Sequence, residues 1–260
     1  MLVDTSRVYQ GLPMPVSDED LAAIAAEAAN RPSLWAALLS RVDARSVLEV
    51  GVFRGEFAQN LLKRTPSIER YYLLDPWRHL EDWDKPANRD DDTFERFYQE
   101  AMDRTAPYAE KRVVLRGRTT EVIDEIPDES LDFAYIDGDH TLRGITIDLI
   151  RVARKVKPTG WIGGDDLHPS IFHHGPEFEP TLVFPYSVYF AEALGTPFYA
   201  LPFRQFVMPK SGDGHRFVDL TGGFTSLGLK AQFDAGRAGT PDTHSDAPGT
   251  RKRRGLRKSV

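Results

Sequence analysis

Five apolar runs punctuate the chain, and each stops at a glycine or an aspartate: "SVLEVG" (46–51), "YYLLD" (71–75), "KRVVLRG" (111–117), "LDFAYID" (131–137) and "GWIGGDD" (160–166). Runs this short, separated by segments whose apolar residues recur every three or four positions, alternate strand with helix. Phe57, Leu61 and Leu62 follow the first run at helical spacing; Phe94, Phe97, Tyr98 and Ala101 follow the second; Ile145, Leu149, Val152 and Val156 follow the fourth. Such alternation leads to a parallel sheet with helices on both faces. "PFYAL" and "RQFVMPK" add two late strands, read as a hairpin, after a helical "TLVFPYSVYFAEAL" whose Pro185 belongs in a first turn or at a kink. The expected fold is a doubly wound, Rossmann-like α/β sheet of seven strands, mostly parallel, with an antiparallel C-terminal hairpin.

The flanks read differently. "SDEDLAAIAAEAANRP" places Ser17 and Asp20 at capping-box spacing ahead of an Ala-rich helix, and a second short helix, "SLWAALLSRV", follows. Residues 1–44 are therefore expected to be a helical segment packing on the sheet, where they cover it or mediate a homodimer. Residues 223–260 are rich in Gly, Pro, Ser, Thr and Asp and are expected to be disordered. Their last ten residues hold six Lys and Arg and no acid, so the formal charge of −6 for the whole chain becomes −12 for residues 1–250. An acidic body is a poor surface for nucleic acid. With no cysteine, a disulfide framework, a thiolate metal site and a cysteine nucleophile are all excluded. No apolar run approaches the roughly 18 to 20 residues that span a bilayer. The opening residues lack the basic-then-apolar order of a signal peptide, and the expected location is the cytoplasm.

Chemistry concentrates at the strand ends. In doubly wound sheets, ligands bind beyond the carboxyl ends of the strands, near the topological switch point. "EVGVFRG" offers Glu49, Gly51 and Gly55: two glycines let the backbone turn tightly, and the acid suits a cation such as an α-ammonium better than a pyrophosphate. This is not the G-x-G-x-x-G of dinucleotide-binding folds, which disfavours an NAD-dependent oxidoreductase. Asp75, twenty residues after Gly55, is placed to accept ribose hydroxyls. Asp137 ends the fourth strand, and Asp165 and Asp166 end the fifth, 28 and 29 positions later. Neighbouring parallel strands lie about 4.8 Å apart, so the three carboxylates are candidates for one site. An all-oxygen set suits Mg²⁺, Mn²⁺ or Ca²⁺ rather than zinc.

"VLEVGVFRGEFA", "YYLLDPW", "LDFAYIDGDHTLRGITIDL" and "GWIGGDD" together resemble a class I S-adenosylmethionine-dependent methyltransferase, and more narrowly the metal-dependent macrocin-type O-methyltransferases that act on sugar hydroxyls. The resemblance makes residues 45–222 the methyltransferase domain. It implies Asp137, Asp165 and Asp166 as Mg²⁺ (or Mn²⁺) ligands, Glu49, Gly51, Gly55 and Asp137 around the methionine end, and Asp75 on the ribose. The turn holding Gly117, Arg118 and Thr119 would lie near the adenine. The implied reaction moves a methyl group to a hydroxyl of a sugar, glycoside or related small-molecule or oligosaccharide acceptor. A phenol- or catechol-type enzyme and a non-catalytic cofactor-binding protein are the alternatives.

Two residues, Asp139 and His140, are candidates for the proton acceptor. The macrocin-type precedent points to Asp139, two positions after the first metal ligand. Imidazole titrates nearer neutral pH than a free carboxyl, which points to His140. Trp77 and Trp83, in the polar segment "WRHLEDWDKPANRDDD", are candidate acceptor contacts on a lid, and His168 is placed to reach the metal region. His173 and His174 are expected as exposed loop histidines.

Overall fold

A computed structural model describes residues 16–175 and 177–224. The first fifteen residues, and all of the tail expected at 223–260 except its first two residues, lie outside the described residues. The chain forms α1 (Asp18–Glu27), α2 (Arg31–Arg41), β1 (Ser46–Val50), α3 (Glu56–Arg64), β2 (Arg70–Asp75), α4 (Asp91–Thr105), β3 (Arg112–Arg116), α5 (Thr119–Val122), β4 (Leu131–Ile136), α6 (Leu142–Lys155), β5 (Val156–Gly164), α7 (Val183–Leu194), β6 (Phe198–Leu201), β7 (Gln205–Pro209) and β8 (Phe217–Asp219). The sheet order is β3-β2-β1-β4-β5-β7-β6-β8. β1 to β5 run parallel to their neighbours, β7 is antiparallel to β5 and β6, and β8 pairs parallel with β6. Seven strands were expected; the eighth is three residues long, too short to leave a period-2 pattern in sequence.

Both faces of the sheet are covered, as parallel strands buried on two sides require. On one face Leu34, Trp35, Phe57, Leu61 and Ala101, from α2 to α4, pack on Phe133, Tyr135 and Trp161. On the other, Ile145, Leu149 and Val152 of α6 and Phe184 and Val188 of α7 pack on Leu48, Ala134, Ile136 and Ile162. The predicted capping box closes α1, with Ser17 and Asp20 exchanging bonds. α2 starts two residues before the predicted helix, because Asn30 and Ser33 form a second reciprocal cap that leaves Pro32 in the first turn. Pro185 sits in the first turn of α7, where its missing N–H costs nothing.

The order changes direction between β1 and β4, and the site opens there. Gly51, just past β1, has φ +85°, and a Cβ on it would lie 1.9 Å from the Asp137 carbonyl oxygen. Gly55 caps α3 at φ +75°, where a Cβ would meet the Ala101 backbone at 2.8 Å. These two glycines let the turn fold tightly between β4 and α4. No helix among the described residues is long and apolar enough to cross a membrane.

Candidate active site

Asp75 builds the floor of the site. Its Oδ2 accepts from the backbone N–H groups of Val52 and Phe53, at 2.9 and 2.8 Å, and its Oδ1 from that of Trp77 at 2.7 Å. Burial pushes its carboxyl up to about 6 despite those bonds. The three backbone donors hold the glycine turn against β2, and Asp75 also lines the larger cavity.

Two cavities meet above that turn. The larger, of about 370 Å³, is lined by Gly51, Asp75, Arg118, Thr119, Asp137, Asp139 and His140 among others, with Phe53, Leu80, Trp83 and Phe94 as apolar walls. The smaller, of about 210 Å³, is lined by Arg31, Glu49, Arg54, Glu56 and Phe57 and shares Gly51, Phe53 and Asp137 with the first. Glu49 is buried, accepts a 2.6 Å hydrogen bond from the Tyr71 hydroxyl, and is pushed up to about 8 by burial. Gly55 and Gly117 line neither cavity; they shape the turns that do.

The acids at the ends of β4 and β5 divide into two groups. Arg31, from the first turn of α2, donates to Asp137 Oδ2 at 3.3 Å and to Asp165 Oδ2. Asp165 Oδ1 also accepts from Gln205 Nε2 at 2.6 Å. Burial and the charge of Asp165 still raise the Asp137 carboxyl. Asp166, at φ +57°, turns the other way: its Oδ2 lies 2.6 Å from His140 Nδ1, 3.6 Å from His173 Nε2 and 3.5 Å from His174 Nε2. Burial disfavours the Asp166 anion, yet the bond from His140 and the nearby His173 imidazole hold its carboxyl well below the usual range. Burial likewise opposes the His140 charge, and the bond to Asp166 with the nearby carboxylates pushes it up to about 9. A guanidinium thus spans two of the three aspartates and imidazoles surround the third. As arranged, they do not fit an all-oxygen Mg²⁺ cage.

Asp139 lines the larger cavity, and its Oδ1 accepts from the Thr141 N–H at 3.0 Å. The lid segment is pinned over this region. Lys85 Nζ donates to the Glu179 carbonyl at 2.6 Å and to Thr181 Oγ1 at 3.0 Å, while Asp82 pairs with Arg118 and with Arg143. Trp83 lines the cavity with its Nε1 buried and unpartnered. Trp77 does not reach it: it is 1 % exposed, and its Nε1 donates to the Phe53 carbonyl.

His168 is also away from the cavity, stacked on His173 with its Nδ1 accepting from the Ser170 N–H. The expectation of exposed loop histidines is corrected: the His173 side chain is 8 % exposed and that of His174 28 %, both drawn toward the Asp166 charge.

Arg31, Lys85, Arg143 and Asp148 line the site without having been singled out in sequence. Thr119 lines the larger cavity and donates to Asp148 Oδ1 at 2.5 Å. Only the Arg-Pro step of Arg31 was visible beforehand, and it reads as a helix boundary.

No curated protein matches the chain in sequence. Among solved structures, the fold is similar to one from Staphylococcus aureus assigned as a caffeoyl-CoA O-methyltransferase, with TM-score 0.51 and 14 % identity over 70 % of this chain and 83 % of that one. It is similar to the O-methyltransferase from Bacillus cereus in complex with S-adenosylhomocysteine, with TM-score 0.50 and 17 % identity over 76 % and 82 %. Residues 48–167 match a family model described as a methyltransferase domain. The match runs from within β1 to just past β5, the part of the sheet whose strand ends line the two cavities.

Proposed function

We propose that the chain transfers the methyl group of S-adenosylmethionine to a hydroxyl oxygen of a small-molecule acceptor. The observation that carries this reading is the meeting of the two cavities at Gly51, Phe53 and Asp137, beside Asp139 and His140. The smaller cavity offers both signs of charge, Glu49 and Glu56 against Arg31 and Arg54, for an amino-acid end. The larger offers apolar walls, with Arg118 and Thr119, for a nucleoside and an acceptor. Those linings would hold the amino-acid and nucleoside ends of the cofactor, whose sulfonium would supply the methyl group beside the strand-end acids. The protein contributes alignment and exclusion of water, and in-line transfer places the attacking oxygen, methyl carbon and sulfur on one axis.

Asp139 is our choice of proton acceptor. His140 Nδ1 is committed to Asp166, and its Nε2 is buried, so neither nitrogen faces an incoming hydroxyl. Asp139 has one oxygen fixed by Thr141 and lines the cavity. For the acceptor, the aromatic and aliphatic walls and the unpartnered Trp83 Nε1 favour a phenol or catechol, the kind of ring that the Staphylococcus protein's name describes. A sugar or glycoside is the second reading, favoured by Arg78, Asp82 and Arg143 around the same cavity.

The test pairs calorimetric titration of S-adenosylmethionine with methyl-transfer assays over catechols and over glycosides, on wild type and Asp139→Asn. Expected are cofactor affinity within about threefold of wild type and a rate loss of about 10²–10⁴-fold. A wild type that binds no cofactor sinks the reading, and full activity in Asp139→Asn removes Asp139 from its role.

A further inference from the structure

The second group of strand-end residues has a composition that the methyl-transfer reading does not use. Asp166 Oδ2 stands among three imidazole nitrogens, at 2.6, 3.5 and 3.6 Å from His140, His174 and His173. Ligand atoms of His140, Asp166 and His174 lie within 4.8 Å of one another. The two longer separations exceed a good hydrogen bond. They match the spacing of two donors on one tetrahedral cation, about 3.3 Å for metal–ligand distances near 2.0 Å.

Two independent observations accompany the spacing. His140 Nε2, 3.5 Å from Asp137 Oδ1, and His173 Nδ1, on the ring edge away from Asp166, are buried without hydrogen-bond partners, which is costly for buried imidazole nitrogens. The His173 and His174 rings also pack with centroids 3.8 Å apart, which gathers the imidazoles on one side of Asp166. A neutral imidazole is the ligand form. Asp137 and Asp165, the other two strand-end acids, already share the Arg31 guanidinium.

We propose that His140, Asp166 and His174, with His173 at the edge, bind a zinc-class divalent cation. Mixed nitrogen and oxygen donors select Zn²⁺ or Co²⁺ over Mg²⁺, which requires oxygen ligands in near-octahedral array. Binding displaces to solvent the proton that His140 shares with Asp166. The three residues line the larger cavity, so an open coordination position faces the acceptor. There the cation acts as a Lewis acid on the acceptor oxygen, which lowers the pKa of its hydroxyl before Asp139 takes the proton. This last role rests on the methyl-transfer reading; cation binding does not.

The experiment uses the full chain stripped by a chelator, titrated calorimetrically with Zn²⁺ and with Mg²⁺ in the absence of cofactor. Co²⁺ is added separately to read its visible d–d absorption, intense in tetrahedral and weak in octahedral sites. Expected are one Zn²⁺ per chain, bound at least about 100-fold more tightly than Mg²⁺, and an intense Co²⁺ spectrum. His174→Ala and the milder His174→Gln should each weaken Zn²⁺ at least tenfold while keeping wild-type circular dichroism, and Asp165→Asn should bind as wild type does. Mg²⁺ bound in preference to Zn²⁺, Zn²⁺ affinity lost in Asp165→Asn, or Zn²⁺ affinity unchanged in both His174 variants overturns the proposal. A protein that binds S-adenosylmethionine but not Zn²⁺ overturns it and leaves methyl transfer standing. One that binds Zn²⁺ but no cofactor supports the site and sinks the methyl-transfer reading instead.

Discussion

Gly51 and Asp137 approach so closely that a methyl group on the first would lie 1.9 Å from the carbonyl oxygen of the second. The ends of β1 and β4 are hydrogen-bonded neighbours, with Asp137 N donating to the Val50 carbonyl at 2.8 Å. The contact fixes the junction of the two cavities and leaves no room for a side chain there.

Gly51→Ala is therefore expected to damage the site more than the fold. The positive φ alone costs ~1–2 kcal/mol for an L-residue, and the clash must be relieved by parting β1 from the β4 end. Thermal unfolding should show a fall of several degrees, and calorimetry a loss of cofactor affinity of about tenfold or more. Unchanged affinity would mean that the cofactor does not use this turn.

Glu49, pushed up to about 8, is largely protonated at pH 7 in the free protein. A bound α-ammonium favours its anion, so cofactor binding should release up to about one proton. Titrations in buffers of different ionisation enthalpy measure this directly. Glu49→Gln should abolish the release and weaken binding by about 10- to 100-fold, the worth of a charge-assisted hydrogen bond.

Asp148 gives a stability test. Burial pushes its carboxyl up to about 7, against the bond from Thr119. An acid with a raised folded pKa binds its proton more tightly when folded. Its contribution is thus favourable at low pH and is lost as pH rises from about 4 to about 7. Asp148→Asn keeps an acceptor for Thr119 and removes that slope. Urea unfolding at about pH 4 and about pH 8 should show the variant gaining on wild type by up to a few kcal/mol. A pH-independent difference would place the ionised carboxylate in the folded state.

Lys85 ties the lid to the segment before α7 through Glu179 and Thr181. Lys85→Met keeps the apolar stem and removes both bonds. Hydrogen exchange should quicken at residues 78–89 and 178–182, with KM for the acceptor raised and cofactor affinity little changed. If exchange over both segments stays as in wild type, other contacts close the cavity.

The strand ends were legible because parallel strands buried on two faces read as short apolar runs, and their ends collect the residues that turn or bind. Glu49, Gly51, Asp137, Asp139 and His140 all line the two cavities. The partners of the acids were not legible. Arg31 lies 106 residues from Asp137 and 134 from Asp165, and nothing local distinguishes it from a helix-boundary arginine. Nor does spacing separate Trp77 from Trp83, one packed under the turn and the other on the cavity wall.

Local chemistry and period sufficed for the alternation of strand and helix, the antiparallel ending, the glycine turn after β1 and the acids at the strand ends, because each depends on residues within one or two turns of chain. Which acids meet a guanidinium and which meet imidazoles was decided by the tertiary structure. A buried carboxylate is stable only beside a compensating charge or donor, and the fold supplies that partner from helices and loops that sequence separation keeps far apart.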